Sequence, residues 1–237
     1  YCPRLSAAPA IDAPFLSIVL PVLDEAVRLP ALLASLRQNF PDAELIVADG
    51  GSADGSVAAA LPLAHVVLQS APGRARQMNL GAAGACGRWL LFLHADSQLP
   101  AGAGDAVRQA LQQPNTSLTA FQLGIRGSRP AFKWIEKAVA FRSRVLHRPY
   151  GDQGLAMNRE TFTRLGGYAN LPLMEDLDLV RRAARRGTVT LLPYAVQVSD
   201  RRWKKKGVLK TTLLNQAILL GDHLGVSPWR LRQWYGS

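Results

Sequence analysis

Across the first 125 residues, short runs rich in Val, Ile and Leu alternate with stretches whose apolar residues recur at helical spacing. FLSIVLPVL (15–23), AELIVADGG (43–51), HVVLQS (65–70), RWLLFLHAD (88–96) and LTAFQLGI (118–125) read as strands. LPALLASLRQNF (29–40), SADGSVAAAL (52–61), GRARQMNLGAAGA (73–85) and AGAGDAVRQALQQ (101–113) read as helices between them, with Pro30 in the first turn of one and Ser52 as the N-cap of another. Strands this uniformly apolar need cover on both faces, which predicts an α/β chain with a mostly parallel sheet flanked by helices. In such sheets ligands sit at the carboxyl ends of the strands.

The second half is less regular. AFKWIEKAVAFRSRVL (131–146) reads as a basic amphipathic helix, and GDQGLAMNRETFTRLGGY (151–168) as loop, short strand, short helix and glycine stop. MEDLDLVRRAARRG (174–187) opens with acids and closes with arginines, the order the helix dipole favours, with Gly187 as the expected C-cap. TVTLLP (188–193) reads as a strand, RRWKKKG (201–207) as a basic turn and 208–225 as a helix, with a short helix after Pro228. The expected organisation is one domain over 1–237, its halves meeting near residue 125.

Charge separates those halves. Residues 1–125 carry 7 Lys+Arg against 9 Asp+Glu, and residues 126–237 carry 21 against 8. The second half is therefore expected to meet an anion: ligand phosphate, an anionic membrane surface or nucleic acid. Aromatic content of 7% argues against a nucleic-acid stacking platform. No apolar run approaches the roughly 20 residues of a membrane span, and no signal peptide is read, although the chain begins Tyr1-Cys2-Pro3 without an initiator methionine. Cys2 and Cys86 match no zinc or redox spacing, so a cytoplasmic location is expected.

Three strand ends carry polar groups suited to a nucleotide. Asp24 and Glu25 follow the first strand, Asp49-Gly50-Gly51-Ser52 the second, and His94 and Asp96 the fourth. Any one of them fits a turn or capping role; three at one edge fit a site. Mg2+ or Mn2+ prefers oxygen ligands, which suits Asp96, and an imidazole suits Mn2+ better than Mg2+. On an extended strand His94 would lie on the same side as Asp96, so the pair is the expected metal-holding group. The G-x-G-x-x-G fingerprint, the phosphate loop and the G-x-S-x-G elbow are all absent.

SIVLPVLDEAVRLPALLASL, ELIVADGGSADGS, GRARQMNLGA, WLLFLHADSQLP, GDQGLAMNRETFTRLGGY and MEDLDLVRRAARRG occur in that order. Together they resemble inverting glycosyltransferases of family two, and most of all a bacterial subgroup named for arsenosugar biosynthesis, over roughly 15–237. The resemblance implies a GT-A (Rossmann-like) fold with a helical C-terminal segment, and transfer from a nucleoside diphosphate sugar, UDP- before GDP-, to a small-molecule or lipid hydroxyl. It implies donor contacts at Pro21, Glu25, Asp49, Gly51, Arg76, Asp96, Arg201 and Arg202, and acceptor contacts at Gly151, Asp152, Gln153, Glu175 and Trp203. Asp176 resembles the catalytic base. Asp96 resembles the last acid of the Asp-x-Asp metal motif, with His94 in place of its first. SDRRW (199–203) resembles a Gln-x-x-Arg-Trp segment with Ser199 in place of Gln.

Blander readings stand beside these. An acid such as Asp176 in a first helical turn is explained by the dipole alone, and Trp203 fits a core as well as a sugar platform. Two other functions are compatible with the chain: a nucleotide-sugar-binding module without turnover, and a basic binder of membrane or nucleic-acid surfaces. A lipid acceptor would bring the helix at 208–224 to the inner face of a membrane as a peripheral contact.

Overall fold

In the computed structural model, residues 14–145 and 148–236 are described. Eight strands form one sheet in the order β3-β2-β1-β4-β7-β6-β8-β5. Strands β1 (Leu16–Val22), β2 (Ala43–Asp49), β3 (Val66–Gln69) and β4 (Trp89–Phe92) are parallel. β7 (Leu155–Asn158) runs antiparallel to both β4 and β6 (Thr116–Arg126), and β6 is parallel to β8 (Thr188–Ser199). The two-residue β5 (Ser97–Gln98) pairs antiparallel with Val198 and Gln197 of β8. One sheet therefore takes strands from both halves of the chain, mostly parallel and covered by helices, as the alternating pattern requires.

Period-two alternation sorts the apolar side chains into two layers. Ile18, Leu20, Val22, Leu45, Val47 and Leu91 face α1 (Leu29–Asn39) and α4 (Ala103–Gln112), meeting Leu33, Leu36, Val107 and Leu111. Val19, Ile46, Leu90 and Phe92 face α3 (Arg74–Ala83), α6 (Arg159–Arg164) and α7 (Glu175–Ala184), meeting Met78, Phe162, Leu179 and Val180. A third, smaller core joins Leu123, Ile125 and Val198 to Phe132 of α5 (Pro130–Val145) and Trp203 of α8 (Arg201–Lys206), with Val208 of α9 (Val208–His223) at its edge. The last helix, α10 (Pro228–Gly236), packs on α9, where Gly221 leaves room for Leu231 and Trp234.

Several local expectations are corrected. The RRWKKKG segment is the helix α8 rather than a turn, and the strand before it runs to Ser199 rather than ending at Pro193. That length comes from parallel pairing along β6, which continues past an irregularity between Ala120 and Gln122. The helix α2 (Ser56–Ala60) begins after Gly55 at φ 88°, so Ser52 is not its N-cap. α7 closes at Arg185 in a helical conformation, two residues before Gly187. His94 and Asp96 lie in a turn closed by the Ser97 N–H on the His94 carbonyl, 3.1 Å, rather than on extended strand.

Gly81 shows how tightly α3 is seated on β1. A Cβ there would lie 2.3 Å from Val19 Cγ1. Gly81→Ala is expected to destabilise the fold by about 1–2 kcal/mol in urea denaturation, because overpacking costs more than the roughly 1 kcal/mol of helix propensity gained.

Candidate active site

The carboxyl ends of β1 and β2 carry two interlocked loops. Asp24, held at φ 54°, donates its N–H to Ser52 Oγ at 2.9 Å and accepts the Ala53 N–H at 3.0 Å. Asp54 accepts the Ala26 N–H at 2.9 Å and the Ser56 hydroxyl at 2.5 Å, and the Ser56 hydroxyl oxygen accepts the Glu25 N–H at 2.9 Å. The Ser56 hydroxyl bond, followed by the Ala26 N–H, lowers the pKa of Asp54. Asp49 is fully buried, and its carboxylate accepts the N–H groups of Gly51 and Ser52 at 3.0 and 3.1 Å. Beneath them Gln77 Nε2 donates to the Val22 and Ala48 carbonyls at 2.7 and 2.8 Å, tying the two strand ends together. A side chain at Gly50 would meet that amide at 3.0 Å.

At the end of β4, the His94–Ser97 turn is held from two sides. β5 pins it to β8, and Arg126 Nη2 at the end of β6 donates to the Asp96 carbonyl at 2.9 Å. Both His94 and Asp96 side chains are half-buried. Facing them is the 3-10 turn Gly151–Gln153. The Gly151 N–H donates to Asp176 Oδ2 at 2.6 Å, and a Cβ on Gly151 would lie 3.0 Å from that oxygen and 3.4 Å from His94 Nε2. His94 and Asp176, 82 residues apart in sequence, thus close on one glycine.

Asp176 is aimed by the start of α7. Met174, at φ 67°, turns the chain left-handed before the helix, and Asp176 Oδ1 accepts the Leu177 N–H at 2.7 Å. Left-handed backbone at a non-glycine residue is strained and tends to mark functional positions. Glu175 is buried and reaches Arg74 Nη1 at 3.4 Å, so α3 and α7 meet across the cleft. Burial, reinforced by the charge of Asp176, raises the Glu175 pKa, and Arg74 opposes the rise. Tyr168, packed edge-on against Phe92 at 4.9 Å, has its phenol pushed well above the usual range by burial and then by the nearby Asp176.

Among the other expected site residues, Glu25 bridges Arg28 and Arg201, each at 2.8 Å, and so joins the first strand end to α8. Pro21 is the penultimate residue of β1, and Arg76 is exposed with no ion pair among the described residues. The Arg202 side chain lies outside the described residues. Gln153 is fully buried: its Nε2 donates to the Phe121 carbonyl at 2.9 Å and its Oε1 accepts from Ser143 Oγ and the Tyr150 N–H. Trp203 is 8% exposed and packs on Phe132 at 5.8 Å. Both were expected to touch an acceptor; both side chains face the interior and hold the site's frame. Arg142 stacks 3.6 Å above the Tyr150 ring, whose phenol burial pushes up to about 12.

Sequence reading missed Gln77, Arg74 and Arg126. Gln77 had a visible signal, a polar residue beside Ala75 and Met78 on the buried side of α3. Arg74 and Arg126 had none, because their partners lie far along the chain.

For a divalent cation, the available donors are the His94 imidazole and the Asp96 carboxylate. Among the described residues no three His, Cys, Asp or Glu side chains gather as a metal cage. One carboxylate plus an imidazole fits a cation whose remaining positions are filled by diphosphate oxygens and water, the usual manner of Mg2+ and Mn2+ at phosphate sites.

The sequence profile described as Glycosyl transferase family 2 matches residues 17–169, and the chain belongs to that family. It is 40% identical over 95 residues to a PGL/p-HBAD biosynthesis glycosyltransferase of Mycobacterium tuberculosis, an alignment covering 37% of each chain. Among solved structures it is similar to the mannosyltransferase of Pyrobaculum calidifontis in complex with GDP-Man and Mn2+, with TM-score 0.62, 21% identity and coverage of 83% of this chain and 59% of that one. It is also similar to the glucosyl-3-phosphoglycerate synthase of M. tuberculosis in complex with Mn2+, UDP and glucosyl-3-phosphoglycerate, with TM-score 0.55, 20% identity and coverage of 78% and 71%. The fold is GT-A-like. The chain spans little more than a third of the mycobacterial relative's length.

The raised pKa of Glu175 fixes the sign of a pH effect. Between the ordinary carboxyl value of 4.5 and the raised native value, the folded state holds a proton that the unfolded state has released. Folding is therefore disfavoured as pH rises through that window. Glu175→Gln should remove this dependence, so that stability of the variant relative to wild type increases from pH 4 to pH 7, read by urea denaturation at each pH.

Proposed function

We propose that this chain is a metal-dependent inverting glycosyltransferase that moves a sugar from a nucleoside diphosphate sugar, UDP- in preference to GDP-, to the hydroxyl of a small-molecule or lipid acceptor. In this reading the order of its motifs resembles the bacterial subgroup named for arsenosugar biosynthesis, and the chain works as a single cytoplasmic domain. The observation that carries the reading is the closure of His94 and Asp176 on Gly151: a carboxylate stands directly opposite the strand end where a donor diphosphate would lie. Similar solved structures hold GDP-Man or UDP together with Mn2+.

In this reading Pro21, Glu25, Asp49, Gly51 and Arg76 border the nucleoside pocket at the ends of β1 and β2. Asp96 and His94 would hold a divalent cation, which when bound supplies positive charge to the leaving diphosphate. Arg201 and Arg202 lie on the helix that follows β8 and add to that field. Gly151 and Asp152 border the acceptor side, and Glu175, expected to contact the acceptor, backs it from the interior. Asp176 takes the proton of the acceptor hydroxyl as its oxygen bonds to the anomeric carbon; the bond from that carbon to the diphosphate oxygen breaks, and the nucleoside diphosphate leaves with the electron pair. The Gly151 and Leu177 N–H groups orient the Asp176 carboxylate while leaving lone pairs for the incoming proton. A single displacement inverts the anomeric centre.

Thermal stabilisation by UDP and by GDP, each with and without Mn2+, tests the donor site. A nucleotide at about 100 times its Kd adds roughly 2.7 kcal/mol. Stabilisation by UDP that requires the metal supports the reading, and a folded protein indifferent to both nucleotides contradicts it. Asp176→Asn should keep that stabilisation and lose about 100- to 10,000-fold in turnover. A non-catalytic binding module would show no turnover to lose, and full activity in the variant would remove Asp176 from the base role.

A further inference from the structure

The helical layer that closes the second half of the chain presents apolar surface to solvent in an ordered way. Leu213, Ala217 and Leu220 of α9 and Leu224 at its C-cap are all exposed, the three leucines by 59%, 59% and 71%. Their spacing of four, three and four places them in one stripe along the helix. The opposite side, Thr211 and Ile218, is buried against the protein. Between Lys210 and Asp222 no residue is charged. Among the described residues nothing covers this stripe, so it is apolar surface open to a partner.

The neighbouring elements repeat the pattern. α5 exposes Trp134 by 75% and Phe141 by 68%, with Ala138 between them, and Lys133, Lys137 and Arg144 along one flank of that stripe. Lys137 Nζ lies 5.7 Å from the Trp134 ring. α10 exposes Trp229 by 64% and Trp234 by 45% beside Arg230 and Arg232. α5 and the start of α9 share the small core around Phe132 and Trp203, and α10 rests on α9 at Gly221. Residues 130–145 and 203–236 together hold ten Lys and Arg against two Asp and Glu.

We propose that α5, α9 and α10 form a docking face for an anionic lipid bilayer, with the leucine stripe and the tryptophans entering the headgroup boundary and the surrounding lysines and arginines meeting lipid phosphates. Indole and phenyl rings favour that boundary, and cations beside them gain from a negative surface. Charge selects the occupant. A second copy of this chain would set this strongly basic layer against itself. A nucleic acid would meet the cations but leave the leucine stripe in water. An anionic bilayer satisfies both. The inference does not depend on the transferase chemistry, since the exposed leucines, tryptophans and Phe141 that carry it lie outside the site around Gly151.

The test uses the full chain with vesicles of phosphatidylcholine alone and of phosphatidylcholine mixed with phosphatidylglycerol, at low and at raised salt. Cosedimentation is expected with the mixed vesicles, weaker with the neutral ones, and reduced by salt because the charges are exposed. The double variants Leu220→Glu with Leu224→Glu, and Trp134→Glu with Phe141→Glu, should each bind mixed vesicles about tenfold or more weakly. Their melting temperatures and nucleotide responses should match those of wild type. Wild type that ignores mixed vesicles, or either variant binding as well as wild type, overturns the proposal. So does a dimer that the α9 variant abolishes, which would make this a self-association face, or tighter binding to single-stranded RNA than to vesicles. Loss of vesicle binding with the nucleotide response intact, or the reverse, separates this proposal from the donor-site reading.

Discussion

Full burial of the sheet on both faces governs what the rest of the molecule can do. Ile18, Val19, Leu20, Leu45, Ile46, Val47, Leu90 and Leu91 are all essentially without exposed surface, so neither face of β1, β2 or β4 has room for a ligand. Backbone groups at the strand ends still require partners, and an unpaired buried carbonyl or amide is costly. Gln77 answers this from below by serving the Val22 and Ala48 carbonyls together. Asp49 answers it from above by accepting two amides of its own loop. What is left at that edge is a rigid rim of polar groups whose loops hold one another, as the Asp24–Ser52 and Asp54–Ser56 exchanges show. Positioned polar groups on a scaffold that cannot relax are what chemistry at a phosphate or a glycosidic carbon requires.

The second half of the chain is brought to this rim by three long-range polar links: Arg201 to Glu25, Arg74 to Glu175, and Arg126 to the Asp96 carbonyl. The two ion pairs have an arginine nearly half exposed, so each contributes little to stability, on the order of 1 kcal/mol or less. Their value is geometric. Each holds a loop or helix end that carries a candidate site residue: the loop after β1, the acid pair of α7, the turn after β4. The stability of the arrangement comes instead from apolar contact, with Phe92, Phe162 and Tyr168 packed in mutual ring contact between β4 and the segment leading to α7.

The alternation of strand and helix in the first half was legible because its cause is local. Period-two and period-3.6 apolar patterns survive intact in β1, α1, β2 and α4, and those elements lie within a few residues of where the pattern puts them. The candidate site was legible as a set of strand ends but not as a geometry. Nothing local shows that β8 would extend to Ser199, because that length depends on β6 beside it. Nothing local separates Gln153, buried and fully bonded, from Asp152 next to it. The turn at His94 also defeated pattern reading, since the apolar run before it continues straight from β4 through Leu93, and only the β5–β8 pairing shows where the strand gives way.

The pairing of Glu175 with Asp176 shows how one short motif can divide its labour. The two acids are adjacent, yet one is buried against Arg74 and the other lies at the cleft against Gly151. The left-handed Met174 sets that division: a helix begun at this point rotates successive side chains by about 100°, sending Glu175 inward and leaving Asp176 at the edge. A buried carboxylate that resists ionisation is a poor anchor for stability, and Glu175 is retained despite that cost. What it supplies is a fixed attachment of α7 to α3, and through α3 to Gln77 and the ends of β1 and β2. The position of Asp176 is thereby referred to the same rigid rim that carries Asp49, so the two sides of the cleft are held in register by one helix between them.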